Sequence, residues 1–346
     1  MDTKRVGSKM NQEKLKVSIV VPVYNVSLYI ERSIKSVMAQ TYPVMECIIV
    51  DDASPDDSIA KCERLIYNYE GPISFVILHH DHNQGLSAAR NTGTDATKGD
   101  YVFYLDSDDE LTPDCIEKLA GPIEKDPSIE MVQGNYRMFS DMPKIGKISR
   151  EEEFPSSNAV RDFFFDKKGL PVMAWNKLIS KKLLMDNGLR FMEGILFEDG
   201  PWTYYVVKCL QHLYVIRDIT YHYHVRPLSI WTGTSEKEKA KYFGIIYEDI
   251  ARHFTPGEEA REAKYYLGAY CRFFIGNRRM ESFKRALPLF ENALAGGDCR
   301  KERLLLWMLK LSSKSAIMNR ILAILLPIRR VMLFPSRRLA SLWTKA

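Results

Sequence analysis

The segment Tyr101-Val-Phe-Tyr-Leu-Asp106-Ser107-Asp108-Asp109 runs from an apolar stretch straight into three carboxylates within four residues. Carboxylates this close repel one another, and a bound cation is the simplest way to keep them ionised beside a buried strand. Oxygen-only ligands suit Mg²⁺ or Mn²⁺, which bind a few carboxylates together with diphosphate oxygens. The competing reading is a solvated turn whose acids cap a helix starting at Thr112. A second acidic strand end, Cys47-Ile-Ile-Val-Asp51-Asp52-Ala53-Ser54, accompanies a first strand ending in Val20-Val-Pro22-Val-Tyr24-Asn25. In a parallel sheet such ends lie side by side, so Tyr24, Asp52 and Asp106 could converge on one crevice. An aromatic face with a carboxylate suits a nucleobase, the ring stacking and the acid accepting from a base or ribose donor.

The loop Asn83-Gln-Gly85-Leu-Ser87-Ala-Ala-Arg90-Asn91 adds small residues and an arginine that could face a phosphate. Neither GxGxxG nor GxxxxGK[ST] occurs, so dinucleotide and P-loop sites lack their phosphate-binding glycines. Further along, Phe197-Glu198-Asp199-Gly200 places two acids where a loop leads into a helix, which reads either as a helix cap or as a catalytic base. A transfer from a diphosphate to a hydroxyl needs a carboxylate to take that hydroxyl's proton while a metal stabilises the leaving diphosphate. Asp199 can be that base. His222 and His224 alternate as on a strand and share one face, with a bland core or surface role the more common outcome. Arg226 and Ser229 are better candidates for a diphosphate clamp. Trp175, Lys177 and Glu198 could touch the transferred group or the acceptor.

These residues need an α/β frame. Val17 to Val23, Cys47 to Val50, Ser74 to His79 and Tyr101 to Leu105 read as buried strands alternating with helical patterns, the signature of a largely parallel sheet. Ile30, Ile34, Val37 and Met38 give the first connecting helix one apolar face. Ser54 with Pro55, and Thr112 with Pro113, read as helix starts. At 346 residues and 46% hydrophobic composition the chain can bury a real core. The six cysteines form no CxxC pair and read as reduced thiols.

Seven motifs in order make the chain resemble the family 2 glycosyltransferases: VSIVVPVYN, IIVDDAS, NQGLSAARNTG, YVFYLDSDD, WNKL, FEDGPW and YHYHVRPLSI, over roughly residues 17 to 230. The resemblance implies a GT-A fold, Rossmann-like, with a mostly parallel central sheet flanked by helices, and an inverting transfer of bacterial cell-surface polysaccharide type. It implies that Tyr24, within the Pro22 to Asn25 stretch, packs on uracil or another base bonded by Asp52. Asp106 and its neighbour Ser107 would meet the ribose or donor sugar, Arg90 the diphosphate or sugar, and Asp108 the metal, with Asp199 rather than Glu198 as general base. The donor would be a nucleotide sugar, a UDP-sugar, and the acceptor a glycan or lipid-linked glycan hydroxyl. The family often has Arg where His224 stands. A nucleotidyltransferase is the nearest other enzyme class, but it leaves Glu198-Asp199 without a role; an inactive sugar-binding scaffold would be expected to have lost one of Asp106, Asp108 and Asp199.

Residues 1–16 read as a polar extension, 17–235 as the catalytic domain with a nucleotide-binding half to 135, 236–298 as helical, and 299–346 as a basic amphipathic tail. Formal charge divides unevenly: residues 300 to 346 hold eleven Lys/Arg against one Asp/Glu, so a +10 tail follows a body of −5. That body is unlike a nucleic-acid surface. Without a signal-peptide core in the first sixteen residues, the expected location is cytoplasmic, with the tail on the anionic inner face of the cell membrane.

Overall fold

The computed structural model describes residues 14–42, 45–141, 143–146, 148–167, 169–227, 229–254, 260–277, 281–295 and 299–314. The chain divides into two compact units, Met1–Ser229 and Ile230–Ala346. In the first, β1 (Val17–Val23), α1 (Ile30–Met38), β2 (Met45–Asp51), α2 (Ser58–Tyr67), β3 (Ser74–His79), α3 (Leu86–Ala96) and β4 (Tyr101–Tyr104) alternate as the hydrophobic pattern predicts. There follow β5 (Glu110–Leu111), α4 (Cys115–Lys125), β6 (Met131–Phe139), β7 (Lys144–Ile145), β8 (Glu152–Phe154) and α5 (Ser157–Arg161). The unit closes with β9 (Lys177–Ser180), α6 (Lys181–Asp186), α7 (Asp199–Cys209) and β10 (Leu213–His224).

The sheet order is β3-β2-β1-β4-β9-β6-β10-β5. The β3-β2-β1-β4 half is parallel, β9 runs antiparallel between β4 and β6, and β10 returns parallel to β6. Period-2 alternation sends successive side chains to opposite faces, and here both faces are covered. Ile19, Val21, Cys47 and Ile49 pack with Ile30, Ile34, Ile116 and Leu119 of α1 and α4, while Ile48 and Val50 pack with Ala89 of α3. A Cβ on Gly93 would stand 2.4 Å from Val20 Cγ1. The close approach that glycine permits draws α3 onto β1 and fixes Arg90 one turn earlier.

Two helix starts differ from the sequence expectation. α2 begins at Ser58, because Ser54 and Asp56 are used to lace loops together: the N–H of Asn25 donates to Ser54 Oγ (2.9 Å), and that of Ser27 to Asp56 Oδ2 (2.8 Å). α4 begins at Cys115, and Thr112 Oγ1 donates to Asp114 Oδ1 (2.8 Å) instead of capping. Cys47, Cys62, Cys115, Cys209 and Cys299 are free thiols.

The second unit is helical: α8 (Ile230–Gly233), α9 (Glu236–Arg252), α10 (Ala260–Asn277), α11 (Glu281–Ala293) and α12 (Arg300–Lys314). Ser235 and Glu238 form a reciprocal capping box at the start of α9. Among the described residues no helix is long and apolar enough to cross a membrane. Residues 1–13 of the polar extension and 315–346 of the basic tail lie outside the described residues.

Candidate functional site

β1, β2 and β4 are parallel neighbours, so the residues that follow them, Tyr24, Asp52 and Asp106, emerge at one edge of the sheet. The chain order changes direction beside β1, with β2 on one side and β4 on the other, which is where open α/β sheets form ligand crevices. Among the described residues four non-glycine positions adopt left-handed backbone angles: Asn25 (φ 53°), Ala53 (φ 55°), Asn176 (φ 60°) and Phe197 (φ 68°). Each adjoins a residue singled out from the sequence: Tyr24, Asp52, Trp175 with Lys177, and Glu198. Such angles cost about 1–2 kcal/mol per residue, and they concentrate where side chains must be aimed.

The crevice is organised by one guanidinium. Arg90, 1% exposed, donates from Nη1 to Glu198 Oε1 (2.7 Å) and Asp199 Oδ1 (2.9 Å), and from Nη2 to Asp106 Oδ1 (2.7 Å). Burial works against the charge, but Asp199, Asp106 and Glu198 outweigh it and hold Arg90 firmly protonated. The sequence suggested that Arg90 faces a phosphate; instead both terminal nitrogens are taken by carboxylates. Glu198 precedes α7 yet makes no side-chain cap there, so the helix-cap reading of this acid pair fails for it. Burial, then Asp199, push Glu198 up to about 7, against the pull of Arg90. Asp199 is the first residue of α7 and 24% exposed at its side chain, with the N–H of Ala174 as a further donor. Burial raises its pKa while Arg90 opposes the shift.

The three crowded acids after β4 find three separate partners. Asp106 meets Arg90, and Asp108 Oδ2 pairs with Nε of Arg226. Asp109, fully buried, accepts from Tyr221 Oη (2.8 Å) and the N–H of His224 (2.7 Å), which ties the end of β10 to this loop. Burial, then Asp108 and Asp106, push Asp109 well up. The backbone carbonyl of Asp108 accepts from Arg32 Nη2 (2.8 Å). The Asp108 carboxylate borders a cavity of about 210 Å³ with Tyr29, Arg32, His224, Val225, Arg226 and Pro227. A carboxylate that already draws a cation beside open space has the oxygen donors a hard divalent ion takes, and Asp108 is the residue that would hold one there.

On the base side, Tyr24 is 45% exposed and free to stack. Asp52 is buried, accepting from the N–H groups of Gln84 and Gly85 (both 2.8 Å), with His80 Nδ1 2.7 Å from Oδ1. Gly85 has φ 91°, an angle that favours glycine at this turn. Pro22 is buried in β1, Asn25 is exposed, and Ser107 is buried within the acidic turn.

Other expectations change. Trp175 is a wall, stacked on Tyr221 (4.4 Å, 7°) and edge-on to Tyr136 (5.1 Å). His222 and His224 do share a face, flanking Phe139, with His224 stacked on the ring at 4.8 Å. Ser229 closes the first unit. Lys177 is fully buried, with Nζ donating to the carbonyls of Pro171 (3.0 Å) and Met173, away from any open surface. Burial pushes it down to about 7, Asp199 pulling the other way. Between about 7 and 10.5 the unfolded chain therefore binds more protons at this residue, and its contribution to stability rises with pH. Urea unfolding should show wild type gaining on Lys177→Met from pH 7 to about pH 9; a difference independent of pH would contradict this.

Tyr221, His80 and Arg32 were not singled out from the sequence, and Asp109 only as one of three crowded acids. The adjacency of parallel strand ends could have pointed to His80, which follows β3 beside β2. A further group, Asp126, Glu153 and His212, brings its ligand atoms within 4.8 Å of one another. It stands at the opposite edge of the sheet, where His212 is engaged by Ser128 Oγ (2.9 Å) and Glu153 (3.0 Å).

Residues 18–188 match the glycosyl transferase family 2 model. The chain carries a family 2 glycosyltransferase domain. GlyA of Streptococcus pneumoniae, a glycosyltransferase, is 30% identical over 230 residues, 63% of this chain and 32% of GlyA. The chain thus spans about a third of that relative's length. Among solved structures, the chain resembles Staphylococcus aureus TarS 1–349 in complex with UDP-GlcNAc, at TM-score 0.62 and 19% identity, covering 80% of this chain and 79% of that one. It also resembles a Pyrobaculum calidifontis mannosyltransferase in complex with GDP-Man and Mn²⁺, at TM-score 0.55 and 16% identity, covering 92% of this chain and 87% of that one. These likenesses show the fold, a GT-A architecture of a central sheet flanked by helices.

Proposed function

We propose that this protein is an inverting, metal-dependent glycosyltransferase that moves a sugar from a UDP-sugar to a hydroxyl of a glycan or lipid-linked glycan. The observation that carries the reading is the Arg90 fork. It joins Asp106, from the nucleotide-binding half (17–135), to Glu198 and Asp199, from the acceptor half (136–235) of a catalytic domain taken as 17–235. Donor and acceptor groups so joined are held at fixed separation, and fixed geometry is a large share of what a group-transfer enzyme supplies.

In this account Tyr24 stacks on the base and Asp52 bonds it, while Asp106 meets the ribose or donor sugar. Asp108 holds Mg²⁺ or Mn²⁺, whose chemistry there is charge stabilisation of the departing diphosphate. Arg226 and Ser229 face the same phosphates. Asp199, the more open acid of the pair, removes the acceptor's proton, and Glu198, locked on Arg90, positions it. The UDP-GlcNAc bound by TarS and the Mn²⁺ of the mannosyltransferase support the choice of donor and ion. A thermal-shift panel of nucleotide sugars tests it. Stabilisation by one UDP-sugar, present with Mn²⁺ and lost with EDTA or in Asp108→Ala, is expected; equal shifts with and without metal would contradict it.

A lipid-borne acceptor agrees with the basic tail. On α12, Leu304 and Trp307 (55% exposed) face outward among Arg300, Lys301 and Lys310. Residues 315–346 add six Arg/Lys and no acid. An apolar, cationic face of this kind suits an anionic membrane surface. Trp307→Ser and deletion of 315–346 should each lower cosedimentation with phosphatidylglycerol vesicles and leave the negligible binding to phosphatidylcholine unchanged. Undiminished binding would refute the membrane role.

A further inference from the structure

Of the three acids after β4, Asp108 alone has a cationic partner carried on the loop after β10, beside open space. Asp106 is fixed on buried Arg90, and Asp109 on Tyr221 and the N–H of His224. Arg226 lies two residues beyond the end of β10. The backbone up to it is anchored by the His224 bond to Asp109 and by the N–H of Val225 donating to the carbonyl of Phe139 (3.0 Å). Its side chain is about a quarter exposed, leans over the Tyr29 ring at 5.5 Å, and lines the 210 Å³ cavity it shares with Asp108.

Resting on the donor-site reading above, we propose that Arg226 is the counter-ion of Asp108 in the donor-free enzyme, so that metal and guanidinium compete for one carboxylate. A divalent ion arriving alone must displace Arg226 and leave that charge beside its own. When a nucleoside diphosphate arrives with the ion, the displaced guanidinium gains the phosphate oxygens as partners without leaving the cavity. Metal and diphosphate therefore bind with positive coupling, and each strengthens the other by the same factor. The exchange is purely of ion pairs, and no covalent bond changes. When Arg226 leaves, Asp108 keeps a second tether, because Arg32 Nη2 donates to its backbone carbonyl (2.8 Å).

This gives Arg226→Gln two effects of opposite sign, which neither a simple clamp nor a structural role produces. The test is Mn²⁺ binding to the full chain by electron paramagnetic resonance, without nucleotide and again with saturating UDP. In Arg226→Gln, Mn²⁺ alone should bind more tightly than in wild type, by about fivefold or more, while UDP in the presence of Mn²⁺ binds more weakly. The factor by which UDP strengthens Mn²⁺ binding should fall toward one. Arg226→Lys, a point charge in place of the fork, should lie between the two. Unchanged or weaker Mn²⁺ binding by a variant whose thermal midpoint equals that of wild type overturns the proposal. Failure of the donor-site reading is a different result, absence of UDP binding in wild type, and the nucleotide-free metal titration still decides the competition between Arg226 and the ion.

Discussion

Asp199→Asn is expected to lower sugar transfer by about 10²- to 10⁴-fold, the usual worth of a positioned general base, with donor binding and thermal stability close to wild type. The amide keeps an oxygen where Asp199 Oδ1 accepts from Arg90, and only the ability to take a proton is lost. Burial lifts the acid's pKa, which makes the carboxylate a better proton acceptor than a surface aspartate. Glu198→Gln serves as the contrast. That carboxylate is almost wholly buried on Arg90 and should act on activity only through the position of its neighbour. Transfer kinetics and a urea titration on both variants separate the two roles. An Asp199→Asn enzyme within tenfold of wild type would remove the residue from the mechanism.

Arg90→Met should be the most damaging single change in the transferase domain. It leaves Asp106, Glu198 and Asp199 together with no guanidinium between them, and breaking a buried ion pair by removing one partner costs about 3–5 kcal/mol. Arg90→Lys should be intermediate in stability and still badly impaired in turnover, because an ammonium cannot reproduce the planar fork that reaches three acids. The three acids share one partner, so the effects of Arg90→Met and Asp199→Asn should be strongly non-additive. Equilibrium unfolding and transfer rates of the two single variants and the double variant measure this. Additive effects would mean that Arg90 and Asp199 act separately.

Much of the crevice was legible in the sequence because it lies at strand ends. Apolar runs located β1 to β4, parallel pairing then put Tyr24, Asp52 and Asp106 at one edge, and the charge of Asp108 spoke for itself. What the sequence did not disclose were partnerships across long separations. Arg90 stands 108 residues from Glu198 and 16 from Asp106, and nothing in local spacing says that one guanidinium serves both. For the same reason Asp109 looked like one of three equivalent acids, although it is the buried anchor of β10. Trp175 and Lys177 looked like possible sugar or acceptor contacts because an aromatic face and a cation are common in such sites, yet both are buried. Burial, which a sequence does not state, makes one a stacked wall and the other a clip for the 171–173 carbonyls. The helix starts failed differently: Ser54 has capping chemistry but spends it on the N–H of Asn25, and Asp56 divides its carboxylate between the N–H of Ser27 and that of Ser58.

The central claim is that donor-side and acceptor-side carboxylates, joined by Arg90, carry out a single displacement at the sugar carbon with Asp199 as the base. The stereochemistry of that displacement is its most direct measure and needs no knowledge of the natural acceptor. Slow hydrolysis of an α-linked nucleotide sugar by the enzyme and Mn²⁺, followed by proton NMR faster than mutarotation, reports the configuration of the first sugar released. The account predicts the inverted β anomer, formed at a rate that falls in Asp199→Asn; release of the α anomer would contradict it.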